Sequence, residues 1–441
     1  MEIHNTEKRE ISSFDKSISR NILIAKPDKY KLLENITHKN EEIISSGSNL
    51  SYSPLSFGKD IISLDLKKFN RIIDFNKSEK TITVEAGITL IEFLNFSLKY
   101  NLWIPQLPGY PTITLGGAVA TNAHGKSCGS DGTIRKSIKS ILLFHKNNGW
   151  MTLSENENKE IFDLTIGGLG LTGTIVNVTL DLKEIDNTQF ITKKKIIKSV
   201  EECNEIINNN DNFAYIYSWH RADRVKNFGE GIIFENILDK KPIISFKNLK
   251  NNNYRLSPYL FPIWNKLSVK ISNFGYFYLN RFGKKLKKEN FLKVIFPFYS
   301  NEIYFNFFGK NGFTESQLLI TSSKINDFMA EFKKLFKIYR PTITLFSLKK
   351  MSGEQSYLRF EDNKICVTFD LKKDNASNSF MNEIDQLCLK YNILPSVIKD
   401  SRLPKSIFEK TYKFANVFRE NLYKFDKKRV YKSEVSKRLG I

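Results

Sequence analysis

The sequence predicts an α+β protein of two domains, and three observations carry that reading. Its 441 residues exceed what one hydrophobic core usually supports. Up to about residue 185, short alternating strands and short helices are punctuated by glycine clusters. Beyond it glycine thins, and polar helical stretches alternate with aromatic strands such as FAYIYSWH and EIYFNFFG. No internal repeat and no low-complexity linker interrupts the chain.

The elements follow in order. The first 45 residues show no strong periodicity. SSGSNLSYSPLSFGKDIISLDL is a Ser/Gly/Asn loop leading into an alternating strand. RIIDFNKSEKTITVEAGITL adds two short strands, with Thr81, Thr83 and Glu85 alternating against Ile82 and Val84. TLIEFLNFSLKY has helical spacing, and Thr89 with Glu92 forms a capping box at its start. A glycine-rich stretch, LPGYPTITLGGAVATNAHGKSCGSDG (107–132), precedes a hairpin that turns at Asn148-Gly149. KEIFDLTIGGLGLTGTIVNVTLDL gives a short helix, a second glycine cluster and a strand running to Leu182. The last forty residues read as helical and basic.

Composition narrows the class. No run approaches the roughly 18 apolar residues of a membrane span. The polar start MEIHNTEKREISSFDKS lacks an apolar signal-peptide core, so a cytoplasmic chain is expected. Cys128, Cys203, Cys366 and Cys388 are scattered without metal-ligand spacing, which suits a reducing compartment and predicts no metal. The formal charge of +21 fits nucleic acid, an anionic membrane, an anionic substrate, or a lysine-rich surface with no partner at all.

The glycine clusters read in two ways. They are tight structural turns, or they are nests of backbone N–H groups that hold an anion such as a cofactor phosphate. The dinucleotide fingerprint fits poorly, because a strand and not a helix follows GGLGLTG. No GxxxxGK[ST] loop occurs.

Six segments decide the matter together: GSNLSY (47–52), LWIPQLPG (102–109), TLGGAVATNAHGK (114–126), TIGGLGLTGTI (165–175), NKICVTFDL (363–371) and IKDSR (398–402). Their order resembles the vanillyl-alcohol oxidase (PCMH-type) superfamily of FAD-dependent oxidoreductases. Within it the similarity is to the branch that oxidises a polyprenyl-phosphate-linked ribose at its 2′ hydroxyl, and it runs from about residue 45 to the C-terminus. The resemblance implies a two-subdomain FAD-binding domain over 1–185 and a substrate-binding domain, an antiparallel sheet flanked by helices, over 186–398. Residues 399–441 would return to the FAD domain.

It also implies site residues. Ser46, Gly47, Ser48, Asn49, Leu50, Ser51 and Tyr52 would wrap the FAD pyrophosphate through their amides. Pro108, Gly109, Thr114, Gly116, Gly117, Thr121, Asn122 and His124 would line the isoalloxazine and its linker. Gly170, Gly173 and Ile175 would pack near the cofactor. Many relatives tether FAD through a histidine of the first loop; Leu50-Ser51-Tyr52 offers none, so non-covalent FAD is implied. Two departures stand out: Asn49 replaces a glycine and Ser396 a tyrosine. The first is tolerable, since asparagine visits the left-handed region.

Oxidising an alcohol with a flavin moves a hydride to the cofactor while a proton leaves the hydroxyl; the protein supplies orientation and electrostatics. Lys399 is the cation the resemblance places by the flavin; otherwise it is an ordinary surface lysine. Tyr52 would reach the substrate hydroxyl. His124 would sit beside the ring, although a lone histidine amid small residues is also simply a packed one. Gln317 and Lys350 fall where relatives contact substrate. Cys366 is by default a small buried apolar residue, and the resemblance turns it toward the flavin. Trp219 walls the pocket or packs in the core.

Residues 254–297 hold eleven aromatics and nine Lys/Arg against one acid. That composition suits an anionic membrane surface, and equally single-stranded nucleic acid. Only the membrane agrees with a polyprenyl-phosphate sugar as substrate, so no nucleic-acid partner is expected. The basic stretch 402–438, twelve Lys/Arg against four acids, lacks the dense aromatics. The resemblance further implies an NAD(P)H-dependent short-chain dehydrogenase partner that reduces the ketone, so that the pair epimerises the sugar. It implies a location at the inner face of the plasma membrane. Two rivals are a soluble FAD-dependent sugar or sugar-1,4-lactone oxidase of the same fold, and a basic nucleic-acid-binding protein explained by charge alone.

Overall fold

The computed structural model describes residues 6–127, 129–210, 215–239, 261–299 and 301–441. Cys128 and residues 254–260 of the basic, aromatic segment therefore lie outside the described residues. The chain opens on a mixed sheet of β1 (Thr6–Ser12), β2 (Ser19–Ala25), β3 (Ile43–Ser46) and β4 (Ile62–Asp65), in the order β1-β2-β4-β3. β1 and β2 form an antiparallel hairpin, while β4 runs parallel to both of its neighbours. The helix Tyr30–Lys39 joins β2 to β3 and buries Leu33 and Ile36 against Ile43 and Leu64. The first 45 residues thus hold two strands, a helix and the start of β3 that periodicity did not reveal. β1 is largely exposed on both faces, so no apolar alternation marks it.

The second sheet is antiparallel. β5 (Ile72–Asn76) and β6 (Thr81–Glu85) are followed by the two-residue β7 (Leu102–Trp103), then β8 (Ile138–His145), β9 (Gly149–Ser154) and β10 (Thr174–Asp181). The order is β5-β6-β10-β8-β9, and β7 pairs instead with β11 (Lys183–Glu184). The Thr89–Glu92 capping box is formed, with Glu92 N donating to Thr89 Oγ1 at 3.3 Å and Thr89 N to Glu92 Oε2 at 2.8 Å. The β8–β9 hairpin turns at Gly149, whose φ of +70° needs glycine. Inward residues Ile82, Val84, Leu143, Val178 and Leu180 pack on Phe93 and Leu94 of the capped helix.

Two four-stranded antiparallel sheets make the rest. One holds β12 (Gln189–Ile197), β13 (Tyr215–His220), β14 (Gly231–Leu238) and β15 (Leu286–Asn290), ordered β13-β14-β12-β15. The other holds β16 (Phe313–Ile320), β17 (Ile343–Lys350), β18 (Ile365–Lys372) and β19 (Leu394–Pro395), ordered β17-β18-β16-β19. They meet at β13 and β17, where Leu348 N donates to Ser218 Oγ at 2.9 Å and Ser347 Oγ to Ser218 O at 2.6 Å. Helices Ile325–Tyr339 and Asn375–Tyr391 cover one face, with Phe328, Phe332 and Phe380 in one core cluster with Phe346 and Phe369.

After residue 399 the chain packs on the first sheet. Ile43 N donates to Val430 O and Lys432 N to Ile43 O, both at 3.0 Å, laying this segment beside β3. Leu403, Phe408 and Phe418 share a cluster with Ile44, Leu55 and Leu171. Among the described residues, no helix is long and apolar enough to cross a membrane. None of their His, Cys, Asp and Glu side chains form a group of three that could hold a metal ion.

Candidate active site

The loop after β3 is shaped by short polar side chains. Ser46 Oγ and Ser56 Oγ both donate to Asn49 Oδ1, at 2.8 and 2.6 Å, and Asn49 takes a left-handed φ of 54°. Ser48 Oγ donates to Thr112 O at 2.6 Å. Gly47 presses so closely on Thr114 that a Cβ there would lie 2.0 Å from Thr114 Oγ1. Among the described residues, the amides of residues 47 to 52 donate to no protein acceptor. Six consecutive unpaired N–H groups around a left-handed residue form an anion nest.

The glycine-rich stretch is both turn and cradle. Thr114 caps the helix Leu115–Ala120, accepting from Gly117 N, and Gly116 lies against Ala86, with N to Ala86 O 2.7 Å. Thr121 Oγ1 folds back to Gly117 O at 2.8 Å, while the buried Asn122 donates to Glu361 Oε2 at 3.0 Å. Pro108 is buried beside an exposed Gly109, where an added Cβ would meet nothing within 4 Å. Gly170 and Gly173 adopt φ of 77° and 144°, and Ile175 is buried in β10 opposite Leu143.

The chemistry gathers on the other face of the β16–β18 sheet. Strand alternation puts Glu315 and Gln317 of β16 on that face, with Cys366, Thr368 and Asp370 of β18, and Lys349 of β17 opposite Cys366. Glu315 and Asp370 are directly paired in register, 4% and 0% exposed. Gln317 Nε2 donates to Glu315 Oε1 at 2.9 Å, and Tyr304 Oη to Asp370 Oδ2 at 2.7 Å. Lys399, in the turn after β19, sets Nζ 3.1 Å from Glu315 Oε1 and 3.6 Å from the centre of the Tyr52 ring. Lys349 Nζ lies 2.9 Å from His124 Nδ1.

These surroundings decide protonation. Burial, then the Lys349 and Lys399 charges, holds the His124 imidazole well below its usual value, so it is neutral at pH 7. Burial, then Glu315 and Asp370, raises the Tyr52 phenol well above its ordinary range. Burial and the neighbouring Glu315 raise Asp370 well above the usual carboxylate range. Burial likewise keeps the Cys366 thiol protonated.

Lys399, Tyr52, His124, Gln317 and Cys366 are thus brought together, whereas Lys350 is not. It follows Lys349 on a period of two, so it points to the opposite face, its Nζ 3.2 Å from Asn208 O. Lys349 is the lysine that faces His124. Trp219 packs edge-on against Tyr276 at 4.6 Å, beside the cluster of Ile232, Phe234 and Phe277, which is its core-packing reading. Four further residues join the site without having been singled out: Glu315, Asp370, Tyr304 and Lys349. Lys126 lies nearby, Nζ 3.5 Å over the Tyr217 ring, and burial and then Lys349 hold it well below the usual lysine value. In ICVTFDLK the alternation of Thr368, Asp370 and Lys372 with Val367, Phe369 and Leu371 was a signal for Asp370, whereas FTESQLLI carries none for Glu315.

An amide nest, a glycine cradle and a lysine–tyrosine–histidine cluster laid against the β16–β18 sheet define a class. Residues 31–154 match the FAD binding domain family, and the chain is an FAD-dependent oxidoreductase of the PCMH, or vanillyl-alcohol oxidase, type. It is similar to the decaprenylphosphoryl-beta-D-ribose oxidase of Mycolicibacterium smegmatis, 23% identical over 423 residues that cover 90% of this chain and 89% of that protein. Shorter matches join it to lactone oxidases. It is 32% identical over 133 residues to probable L-gulonolactone oxidase 4 of Arabidopsis thaliana, 29% of this chain and 23% of that one. It is 23% identical over 184 residues to L-gulonolactone oxidase of Bos taurus, 42% of this chain and 40% of that one.

The residues fit FAD. The 47–52 amides are free to take a pyrophosphate, and space is open at Gly109. Ser51 Oγ, Asn122 Oδ1 and Gln317 Oε1 are buried without a hydrogen-bond partner in the protein, where a cofactor or substrate would supply one.

Proposed function

We propose that the protein oxidises a secondary hydroxyl of a polyprenyl-phosphate-linked pentose, at the 2′ position, to the keto sugar. The observation that supports it best is a similarity spanning both domains, set beside lactone-oxidase matches that cover 42% of the chain or less. FAD, when bound, supplies the hydride acceptor. Lys399 contributes a cation, held by Glu315 and by the Tyr52 face. Tyr52 offers a neutral hydroxyl to the substrate oxygen. His124 has its Nδ1 taken by Lys349, so its proton sits on Nε2 as a donor. Phe14 and Phe313 flank the Tyr52 ring and exclude water from that side.

FAD is held without a covalent bond, because residues 47–52 carry no histidine. Acid precipitation should leave all flavin in the supernatant; flavin pelleting with the protein refutes this. A short-chain, NAD(P)H-dependent dehydrogenase would take the keto sugar and complete an epimerisation.

The same reading places the protein at an anionic membrane, at the inner face of the plasma membrane. The helix Lys266–Phe282 buries Val269, Asn273 and Phe277 and exposes Leu267, Ile271, Phe274, Leu279 and Phe282, the last two by 78% and 80%. Exposed Arg281, Lys284, Lys285, Lys287 and Lys288 follow at its end. An apolar stripe beside clustered lysines matches an acyl–headgroup boundary. Sedimentation with phosphatidylglycerol vesicles at low salt should carry the protein down, and failure to do so refutes the placement.

The activity is tested by anaerobic mixing with polyprenyl-phosphate pentoses and with free sugar lactones. Bleaching of the flavin band by the lactones alone would favour the soluble oxidase reading instead.

A further inference from the structure

Two carboxylates face each other at the bottom of the site. Glu315 and Asp370 occupy paired positions on β16 and β18, both inward and both buried. Two bare carboxylates on directly paired, buried residues repel strongly in a low dielectric, so one of them takes a proton. Hydrogen bonding says which one. Glu315 accepts from Gln317 Nε2 at 2.9 Å and pairs with Lys399 at 3.1 Å, both of which favour its anion. Asp370 Oδ2 accepts one hydroxyl, from Tyr304, and Asp370 Oδ1 is buried with no donor to satisfy it. A proton on Oδ1, donated to Glu315, removes both the orphaned atom and the repulsion. The charged and titratable groups facing the pair are Lys399 from the turn after β19, Tyr52 from the nest loop, Tyr304 from the helix Ile303–Asn306 and Cys366 of β18.

We propose that Asp370 and Glu315 share one proton, carried on Asp370 Oδ1, and that Glu315 accepts the proton leaving the substrate hydroxyl by way of Tyr52. The second half rests on the alcohol oxidation proposed above; the first does not. Lys399 Nζ touches both groups, 3.1 Å from Glu315 Oε1 and 3.6 Å from the centre of the Tyr52 ring, so the two stand on either side of one ammonium. The substrate C–H bond breaks with its electron pair passing as hydride to the flavin, and the C=O bond forms. As the substrate O–H breaks, its proton passes to Tyr52 Oη, and the proton Tyr52 already held passes to Glu315. Tyr52 ends unchanged, and the pair ends with two protons, one of which returns to solvent before the next turnover. Lys399, as an ammonium, has no lone pair to accept this proton, which leaves Glu315 as the acceptor.

Infrared spectroscopy of the resting holoenzyme at pH 7.5, with no substrate, tests the shared proton. A carbonyl stretch of a protonated carboxylic acid should be present, shift in deuterium oxide and vanish in Asp370→Asn. No such band, or one that survives the substitution, overturns it. Stopped-flow reduction tests the acceptor role. Glu315→Gln should retain stoichiometric FAD and substrate Kd within threefold, yet reduce its flavin about 100-fold more slowly, the usual worth of a general base, with a flattened pH profile. Reduction at the native rate overturns the role. A native enzyme that no alcohol bleaches defeats the alcohol-oxidation reading while leaving the infrared result standing.

Discussion

Lys349 Nζ and His124 Nδ1 lie 2.9 Å apart, a contact that fixes the tautomer of the one histidine in the glycine-rich cradle. An ammonium only donates, so Nδ1 accepts and the ring's proton sits on Nε2. The positive neighbour also opposes a second proton, adding to the effect of burial. Replacing Lys349 by methionine removes both constraints. His124 should then titrate at higher pH in a histidine-labelled NMR spectrum, and flavin reduction should slow about tenfold. An unmoved titration would show that burial alone sets the imidazole.

Acid should weaken the fold through its buried histidines. His220 is pushed down to about 4 by burial, while its Nδ1 lies 2.9 Å from Gly229 O and its Nε2 2.7 Å from Ser218 Oγ. Between that value and the unfolded 6.5, the unfolded chain binds a proton that the folded chain refuses. Stability therefore rises with pH across this window, by up to about 1.4 kcal/mol per pH unit for each such histidine. His124, lowered in the same direction, adds to the slope. Denaturant melts between pH 4.5 and 6.5 should show it, and His220→Asn should lessen it by about one proton.

Asp370 has the opposite sign. Its pKa is raised on folding, so the folded chain holds a proton that the unfolded chain has lost, and stability falls as pH climbs above the ordinary carboxylate value. Asp370→Asn removes that loss. The stability of the variant relative to the native protein should grow between pH 5 and pH 8, read as a shift in urea midpoint at constant m.

Gly47 has no room for a side chain, since a Cβ would meet Thr114 Oγ1 at 2.0 Å. Gly47→Ala must push the nest loop away from Thr114 and spoil the convergence of its amides. FAD should bind at least tenfold more weakly, measured by quenching of flavin fluorescence. Pairing the change with Thr114→Ala, which removes that hydroxyl, should recover part of the loss.

Some of this architecture could be read directly from residue order. The Thr89–Glu92 box and the Asn148-Gly149 turn are local signals, and both formed because nothing distant competes with them. Tyr52 and Lys399, 347 residues apart in sequence, could be associated only through their motifs; that they touch depends on the turn after β19 meeting the loop after β3. Glu315 and Asp370 carry no motif and sit inside aromatic strands, so only the register of β16 on β18 shows that two acids face each other. Lys349 and Lys350 differ by one residue and hence by a sheet face, a distinction that residue type cannot make and pleating does. The hairpin of β1 and β2 left no apolar trace because one of its strands is bathed in solvent.

The most direct test is anaerobic reduction by a polyprenyl-phosphate ribose, followed at the flavin absorbance band, in the native protein and in Lys399→Ala. The native flavin should bleach. The variant should keep its flavin, because the 47–52 amides make no hydrogen bond to the Lys399 side chain, and should bleach about 1000-fold more slowly without the cation held between Glu315 and Tyr52. Bleaching of Lys399→Ala at the native rate would contradict the assignment of this cluster as the place where the alcohol is oxidised.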